Sequence, residues 1–169
     1  INSLVGSGTL ITFPTLLAFG IPPVTANVSN TVGLVPGAAS GTLAGRPELV
    51  GQGGLVRSLV PASLAGGVVG ALLLLTLPES AFAAVVPALI GLAVLLVAFQ
   101  PRISAWVARR HRTIGGLPPS GARWVRPAVA LAGVYGGYFG AAQGVLLMAI
   151  LGNGVADTLH RLNAIKNLL

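Results

Sequence analysis

The chain has 169 residues, of which 54% are hydrophobic and only 8% are charged, and its mean hydropathy is +0.87. Because soluble domains carry about 25% charged residues, this composition excludes an ordinary soluble globular domain. The chain has no cysteine, which excludes disulfides, thiol catalysis and cysteine metal sites. It begins at Ile1 rather than methionine and stops at Leu169 within an apolar pattern, so we expect a fragment cut at both ends.

The first 45 residues carry no charge, and four glycines recur at every fourth position near their end: Gly33, Gly37, Gly41 and Gly45. One membrane crossing needs about 20 apolar residues, so this stretch exceeds a single span. Glycines four residues apart share one side of a helix and let a second backbone approach closely. We therefore predict that the stripe packs against another helix.

Three further stretches, residues 58–78, 80–101 and 127–156, also lack charge. Each is long enough to cross a hydrocarbon core of about 30 Å as a helix. The alternation typical of barrel strands is absent. The sequence thus predicts an all-α, polytopic transmembrane bundle with Gly/Pro-interrupted helices. The predicted helices cover about residues 5–19, 24–45, 54–77, 80–100, 125–151 and 156 onward, with breaks at residues 20–23 and 152–154.

The net charge is +7, and six of the ten basic residues lie close together: Arg102, Arg109, Arg110, Arg112, Arg123 and Arg126. Net positive charge can indicate nucleic acid in a soluble protein. Arginine-rich short loops of membrane proteins, however, stay cytoplasmic. Arg46 and Arg57 flank the loop between the second and third predicted helices. The chain crosses the membrane once outward and once back between that loop and the arginine-rich one, so both loops are predicted to be cytoplasmic and the turn at Pro78 external. A loop that is basic only for solubility is the alternative.

The chain also matches itself when shifted by 134 residues, so that Gly6 falls on Gly140 and Gly20 on Gly154. Each copy has a glycine-rich start, a short apolar helix, a glycine break and a polar helix start. Such paired segments point to a transporter site. We predict a first repeat at 1–100, a basic cytoplasmic loop at 101–124 and the start of a second repeat at 125–169. A chance match is the alternative, and parallel or inverted repeats are both left open.

At these positions the chain resembles the TauE/SafE sulfite-exporter-like transporters. Residues 5–14 (VGSGTLITFP) and 26–37 (ANVSNTVGLVPG) are similar to the family's first repeat, and residues 135–140 (YGGYFG) and 161–167 (RLNAIKN) to its second. The resemblance covers nearly the whole chain and implies export of anions or organosulfur compounds. It departs from the glycine-richest members at Ser7, Thr9, Ala141, Ala142 and Gln143, which leaves the substrate open.

Polar residues that follow both breaks form the candidate anion site. His160, Asn163 and Asn167 share one helix face, with Arg161 and Lys166 on neighbouring faces. Cations at membrane depth usually face a cavity or partner, and cations with amide donors suit an oxyanion. The positive ends of interrupted helices would add to this attraction. The alternative is that Arg161 and Lys166 extend to the membrane interface.

The candidate ligand-binding residues are Asn27, Ser29, Asn30, Thr31, Gln143, His160, Arg161, Asn163, Lys166 and Asn167, and the candidate helix-break backbone is Gly6, Ser7, Gly8, Gly140, Ala141 and Ala142. For the asparagines and Gln143, interhelical hydrogen bonds or helix caps are the alternative. Gly66 and Gly70 are predicted to serve helix packing. Asp157 suits the first turn of a helix better than a proton-coupling role.

No catalytic constellation is visible, because His111 and His160 are far apart and the chain has only three acids. No phosphate-binding loop indicates ATP. We predict no enzyme activity, cofactor or metal, and no nucleic acid partner. The predicted function is a multi-pass secondary transporter that exports small anions such as sulfite or organosulfonates across the plasma membrane. The alternative is a membrane-embedded scaffold or accessory subunit, which would pack both breaks dry rather than around a polar cavity. A homo-oligomer is left open.

Overall fold

The computed structural model describes residues 9–111 and 121–169, which form seven α-helices and one short 3-10 helix. The helices are α1 (Thr9–Ala18), α2 (Pro23–Ala44), the 3-10 helix Arg46–Leu49, α3 (Gly53–Thr76), α4 (Glu79–His111), α5 (Val125–Tyr138), α6 (Gln143–Gly154) and α7 (Leu159–Leu168). No strand occurs within these two ranges. The all-helical class is as the composition predicts.

Two of the helices, α3 over Gly53–Thr76 and α4 over Glu79–Ile103, are long and apolar enough to cross a membrane. Many of their large apolar side chains are exposed, including Leu64 and Leu75 of α3 and Leu95 of α4. A core helix of a soluble protein would bury such residues, whereas hydrocarbon accepts them.

Helices α3 and α5 run parallel and touch through their backbones. They meet at Gly66 and Gly70 of α3 and at Gly133 of α5. A Cβ atom at Gly133 would lie 2.6 Å from the Ser63 carbonyl oxygen, and one at Gly70 would collide with the carbonyl oxygen of Val134. The predicted packing role of Gly66 and Gly70 is therefore confirmed.

The parallel crossing brings the starts of α3 and α5 to one end of the bundle. The connections between helices meet there: the Gln52 amide donates to the Asp157 carboxylate, and the Ala122 N–H donates to the Gly154 carbonyl oxygen at 2.7 Å. We call this the arginine end, because the exposed basic residues at the starts of these elements are Arg46, Arg57, Arg123 and Arg126. The connections at residues 19–22 and 77–78 lie at the opposite end.

Two predicted boundaries are wrong. Helix α4 continues through Pro101 to His111, where the sequence predicts a loop. Its 33 residues span about 50 Å, so its basic last turns extend beyond a hydrocarbon core of about 30 Å. The predicted helix at 125–151 is two helices, because Gly140 and Ala142 take left-handed φ angles of 76° and 59° that end a right-handed helix. Residues 112–120 and the predicted helix-break backbone at Gly6, Ser7 and Gly8 lie outside the described residues.

The glycine stripe makes the predicted close contact with another helix at its last member, Gly45, but not at Gly33 or Gly37. A Cβ atom at Gly33 or Gly37 would meet nothing within 4 Å in the described ranges, whereas one at Gly45 would lie 3.1 Å from the Ala164 Cβ atom. Regular spacing places glycines on one side of a helix but does not supply a partner. The close crossing forms instead between α3 and α5, whose glycines have the same spacing.

Candidate functional site

Two helical hairpins meet near the middle of the bundle. In the first, α1 lies along α2, and the Asn30 Nδ2 donates to the Thr9 Oγ1 at 3.1 Å. In the second, α6 leads to α7, and Gly154 at the end of α6 lies at the arginine end. The described start of α1 and the start of α6 at Gln143 lie together, and the two helices run from there to opposite ends of the bundle.

The break between α5 and α6 is fixed by side chains on both of its sides. The Tyr135 hydroxyl donates to the Ala141 carbonyl oxygen at 2.6 Å, and the Asn27 Nδ2 donates to the Tyr138 carbonyl oxygen at 3.0 Å. Phe139 is buried edge-on against Phe13 of α1, with ring centroids 5.3 Å apart. The first hairpin thus holds the break in place, and the N-terminus of α6 brings its partial positive charge to this position.

A cavity of about 280 Å³ lies between the hairpins and is open along α2, where Thr31, Val35 and Ala38 are exposed; we call it the central cavity. Its polar wall comes from both hairpins, and its apolar wall comes mainly from α2 through Leu34, Val35 and Ala38. The polar and glycine positions in its wall are Thr9, Thr31, Gly136, Gly140, Gln143, Gly144, Lys166 and Asn167. Lys166 is the one charged side chain among the described residues of this wall, and it is only 8% exposed.

The donor set of the central cavity suits an anion. Lys166 supplies an ammonium, and Gln143 and Asn167 supply amide N–H groups. Thr9 supplies a hydroxyl, whereas the Thr31 hydroxyl donates to the Asn27 carbonyl oxygen at 2.9 Å. Hydrogen bonds from an ammonium and from amides to an oxyanion are charge-assisted and strong. The volume exceeds the roughly 30 Å³ of one liquid water several times, so a small solvated anion has room.

The structure brings only part of the predicted site together. The predicted residues in the wall of the central cavity are Thr31, Gly140, Gln143, Lys166 and Asn167. Lys166 is buried and does not reach an interface, in contrast to the alternative interpretation. Gln143 also donates from Nε2 to the Ala132 carbonyl oxygen at 3.3 Å and packs over Gly136, so part of its role is structural.

The asparagines of α2, Asn27 and Asn30, are buried and stand behind the wall of the central cavity rather than in it. Asn30 is hydrogen-bonded to Thr9 and Thr12, and the Asn27 Nδ2 donates to the Tyr138 carbonyl oxygen at the end of α5. The Asn27 Oδ1 atom is buried, and no hydrogen-bond partner is recorded for it in the described ranges. Ser29 is exposed on α2, and Ala141 and Ala142 are buried behind the break. Asn27 and Asn30 are not themselves in the wall of the central cavity, and their predicted role in binding the anion stays a prediction.

The first half of α7 lies away from the central cavity. His160 and Asn163 line a second cavity of about 270 Å³ near the arginine end. Arg161 is 43% exposed and pairs with Asp157 at 3.8 Å, and Asp157 also accepts from the Thr158 N–H at 2.7 Å. Asp157 therefore ties the start of α7 to its neighbours. Asn163 and Gln143 line different cavities, so the structure does not bring these two predicted residues together.

Sequence reasoning missed several wall positions of the central cavity, chiefly Thr9, Gly136 and Gly144. Thr9 directly follows the glycine-rich start, and Gly136 and Gly144 stand four residues before and after Gly140. That spacing around a predicted break was the available signal.

Comparison with known proteins identifies one family. The sequence model of the family described as "Sulfite exporter TauE/SafE" matches residues 1–169. No curated protein and no solved structure matches the chain. The match covers every residue, and it agrees with an all-helical bundle whose longest helices expose apolar surface. The chain belongs to the TauE/SafE sulfite exporter family of membrane transporters.

Proposed function

We propose that this protein is a secondary transporter that exports small oxyanions, such as sulfite or an organosulfonate, and that the central cavity is the site that carries them. The observation that carries the proposal is the position of Lys166, a buried lysine in the wall of the central cavity beside the amides of Gln143 and Asn167. A lysine ammonium acts as a point charge, while amides and the N-terminus of α6 orient the oxygens of the anion.

The alternative, a scaffold without transport, fits this region less well. A scaffold would pack its helix breaks dry, since a polar void inside a bundle sacrifices packing contacts. Here the break between α5 and α6, rather than the predicted breaks at residues 20–23 and 152–154, borders the cavity. Its wall there holds three polar or charged side chains and three glycines: Gln143, Lys166, Asn167, Gly136, Gly140 and Gly144.

We also propose that the two hairpins are related as inverted repeats. A shift of 134 residues places α1 and α2 over α6 and α7, with the start of α1 falling on that of α6. The paired helices α1 and α6 run from the middle of the bundle to opposite ends, which supports an inverted relation. In transporters of this kind the substrate lies at the repeat interface, between interrupted helices.

Flux measurements test the proposed function most simply. The flux of radiolabelled sulfite, or of a small sulfonate, should be faster in liposomes that carry the full-length protein than in protein-free liposomes. The flux of sulfate should differ in rate from that of sulfite. The driving force should be an ion or substrate gradient, without ATP. Well-folded protein that moves none of these anions would favour the scaffold instead.

We further propose that the arginine end faces the cytoplasm. The chain has no cysteine, so single cysteines report orientation cleanly. In intact cells, Ser80→Cys at the opposite end should react quickly with a membrane-impermeant thiol reagent, whereas Arg123→Cys should react only after permeabilisation. Both residues are exposed, so a difference in rate reflects the side of the membrane. Rapid reaction of Arg123→Cys from outside, with protection of Ser80→Cys, would reverse the topology.

A further inference from the structure

The second cavity lies directly beside the central cavity, toward the arginine end. Its wall combines Gly41, Gly45 and Glu48 from the end of α2 and the 3-10 helix with His160, Asn163 and Asn167 of α7. Asn167 lines both cavities. Asn167 therefore forms part of the wall between the two spaces.

The polar side chains of α7 differ in their exposure. His160 is exposed, Asn163 and Asn167 are half-buried, and Lys166 is buried. His160, Asn163 and Asn167 stand at i, i+3 and i+7, so they share one face of the helix. Seven residues of helix cover about 10 Å, so this face leads from water at the arginine end to the level of Lys166.

The opposite wall of the second cavity is made of small residues. Gly41 and Ala44 of α2 and Gly45 just after it form this wall, and the Thr42 hydroxyl donates to the Asn167 carbonyl oxygen at 2.8 Å. Gly41 has no side chain to occupy the space beside the polar face of α7. A large side chain at Gly41 would fill this space.

The far side of the central cavity is packed with aromatic rings. Phe139 lines the cavity and is buried, and its ring lies against Phe13 and, at 6.4 Å, against Phe82. Phe82 in turn contacts Tyr138 edge-on at 5.5 Å. Buried rings at native packing density leave no room for a hydrated ion, so they separate the cavity from the opposite end of the bundle.

We propose that the second cavity is the access route by which an anion from the arginine end reaches Lys166, and that the polar face formed by His160, Asn163 and Asn167 conducts it. This inference rests on the proposed function for the nature of the cargo. The amide N–H groups of Asn163 and Asn167 replace water around the anion stepwise before it meets the ammonium. Glu48 is exposed at the mouth of the route, where water and salt screen its charge.

A thiol-labelling experiment on the full-length protein tests the route without measuring transport. Gln143→Cys places a reporter in the wall of the central cavity. The 169 residues of the chain contain no cysteine of their own. The probe is an anionic, membrane-impermeant methanethiosulfonate, and the readout is the mass shift of the protein in liposomes. A second substitution then narrows the proposed route.

Gly41→Trp should slow labelling of Gln143→Cys at least tenfold, because the indole fills the space opposite Asn163. Gly37→Trp is the matched control, since it lies one turn away where an added Cβ atom meets nothing within 4 Å in the described ranges. It should leave the rate unchanged. If Gly41→Trp does not fold, Ala44→Trp, at an exposed position of the same wall, replaces it with the same expected slowing.

Equal labelling rates in the Gly41→Trp and Gly37→Trp backgrounds, with both proteins monodisperse, would overturn the route. The result of the labelling experiment is independent of the result of the flux measurement that tests the proposed function. Slowed labelling in a protein that carries no anion would keep the route and refute the transport proposal, whereas normal flux with unchanged labelling would refute the route alone.

Discussion

Replacing Lys166 by alanine is expected to abolish anion flux or to raise the half-saturating anion concentration strongly, while insertion and folding persist. The reason is that Lys166 is the one charged side chain among the described residues around the central cavity. Loss of one charge-assisted contact costs roughly 1.5–3 kcal/mol, which corresponds to about a ten- to hundredfold loss of affinity. The measurement is concentration-dependent uptake of labelled sulfite into liposomes, with size-exclusion chromatography as the check on folding.

Two further variants separate the local charge from general electrostatics. Arg161→Ala removes a cation from the same helix, but Arg161 is 43% exposed, pairs with Asp157 and lies outside the wall of the central cavity. It should therefore retain most of the flux. Lys166→Arg should restore transport only in part, because the planar guanidinium fork is wider than an ammonium. Wild-type flux in folded Lys166→Ala protein, or equal losses in Lys166→Ala and Arg161→Ala, would remove Lys166 from the site.

The second large effect concerns the crossing of α3 and α5. Gly70→Leu and Gly137→Leu should each destabilise the protein severely, because a Cβ atom at Gly70 collides with the Val134 carbonyl oxygen and one at Gly137 with the Gly67 carbonyl oxygen. Overpacking of an interior costs about 1–3 kcal/mol even where side chains can adjust, and backbone atoms adjust less. The measurement is the thermal unfolding midpoint in detergent, together with the yield of monodisperse protein.

Gly37→Leu is the matched control for this crossing. It belongs to the glycine stripe of α2, yet an added Cβ atom there meets nothing within 4 Å in the described ranges. Its midpoint should stay close to that of the wild type. A large loss at Gly37 together with little change at Gly70 would show that the stripe of α2, rather than the crossing of α3 and α5, holds the bundle together.

The contrast between these glycines shows what the sequence can predict about packing. The spacing of Gly66 and Gly70 and that of Gly33 and Gly37 are identical, and spacing alone fixes which residues share a side of a helix. Whether a second backbone lies on that side depends on contacts distant in sequence. Here α5 brings Gly133 to the Ser63 carbonyl oxygen of α3, a meeting that no local pattern records.

The break between α5 and α6 shows a similar limit. Residues 127–156 are apolar throughout, so hydropathy indicates one long span rather than two short helices. The break depends on left-handed backbone at Gly140 and at Ala142. Alanine gives no local signal for that conformation, which costs roughly 1–2 kcal/mol in an L-residue and persists because the surrounding contacts hold it.

The sequence predicts which residues belong to the site better than it predicts how they are arranged in space. Gly140, Gln143, Lys166 and Asn167 do border one cavity, since they follow the glycine-rich starts that the repeat pattern marks. Asn163 lies only three residues from Lys166 but lines the other cavity. That division depends on where α2 crosses α7, with Gly45 against Ala164, and the sequence does not state the position of this crossing.

The most direct test of the central claim, that the cavity between the hairpins binds the transported anion, is to locate a bound anion. Selenite has the shape and charge of sulfite and carries selenium, whose anomalous X-ray scattering marks its position in a crystal of the full-length protein. The account predicts a selenium peak in the central cavity within contact of the Lys166 ammonium, and the loss of that peak in Lys166→Ala crystals. A peak found only among the surface arginines of the arginine end, with the central cavity free of selenium at saturating selenite, would contradict it.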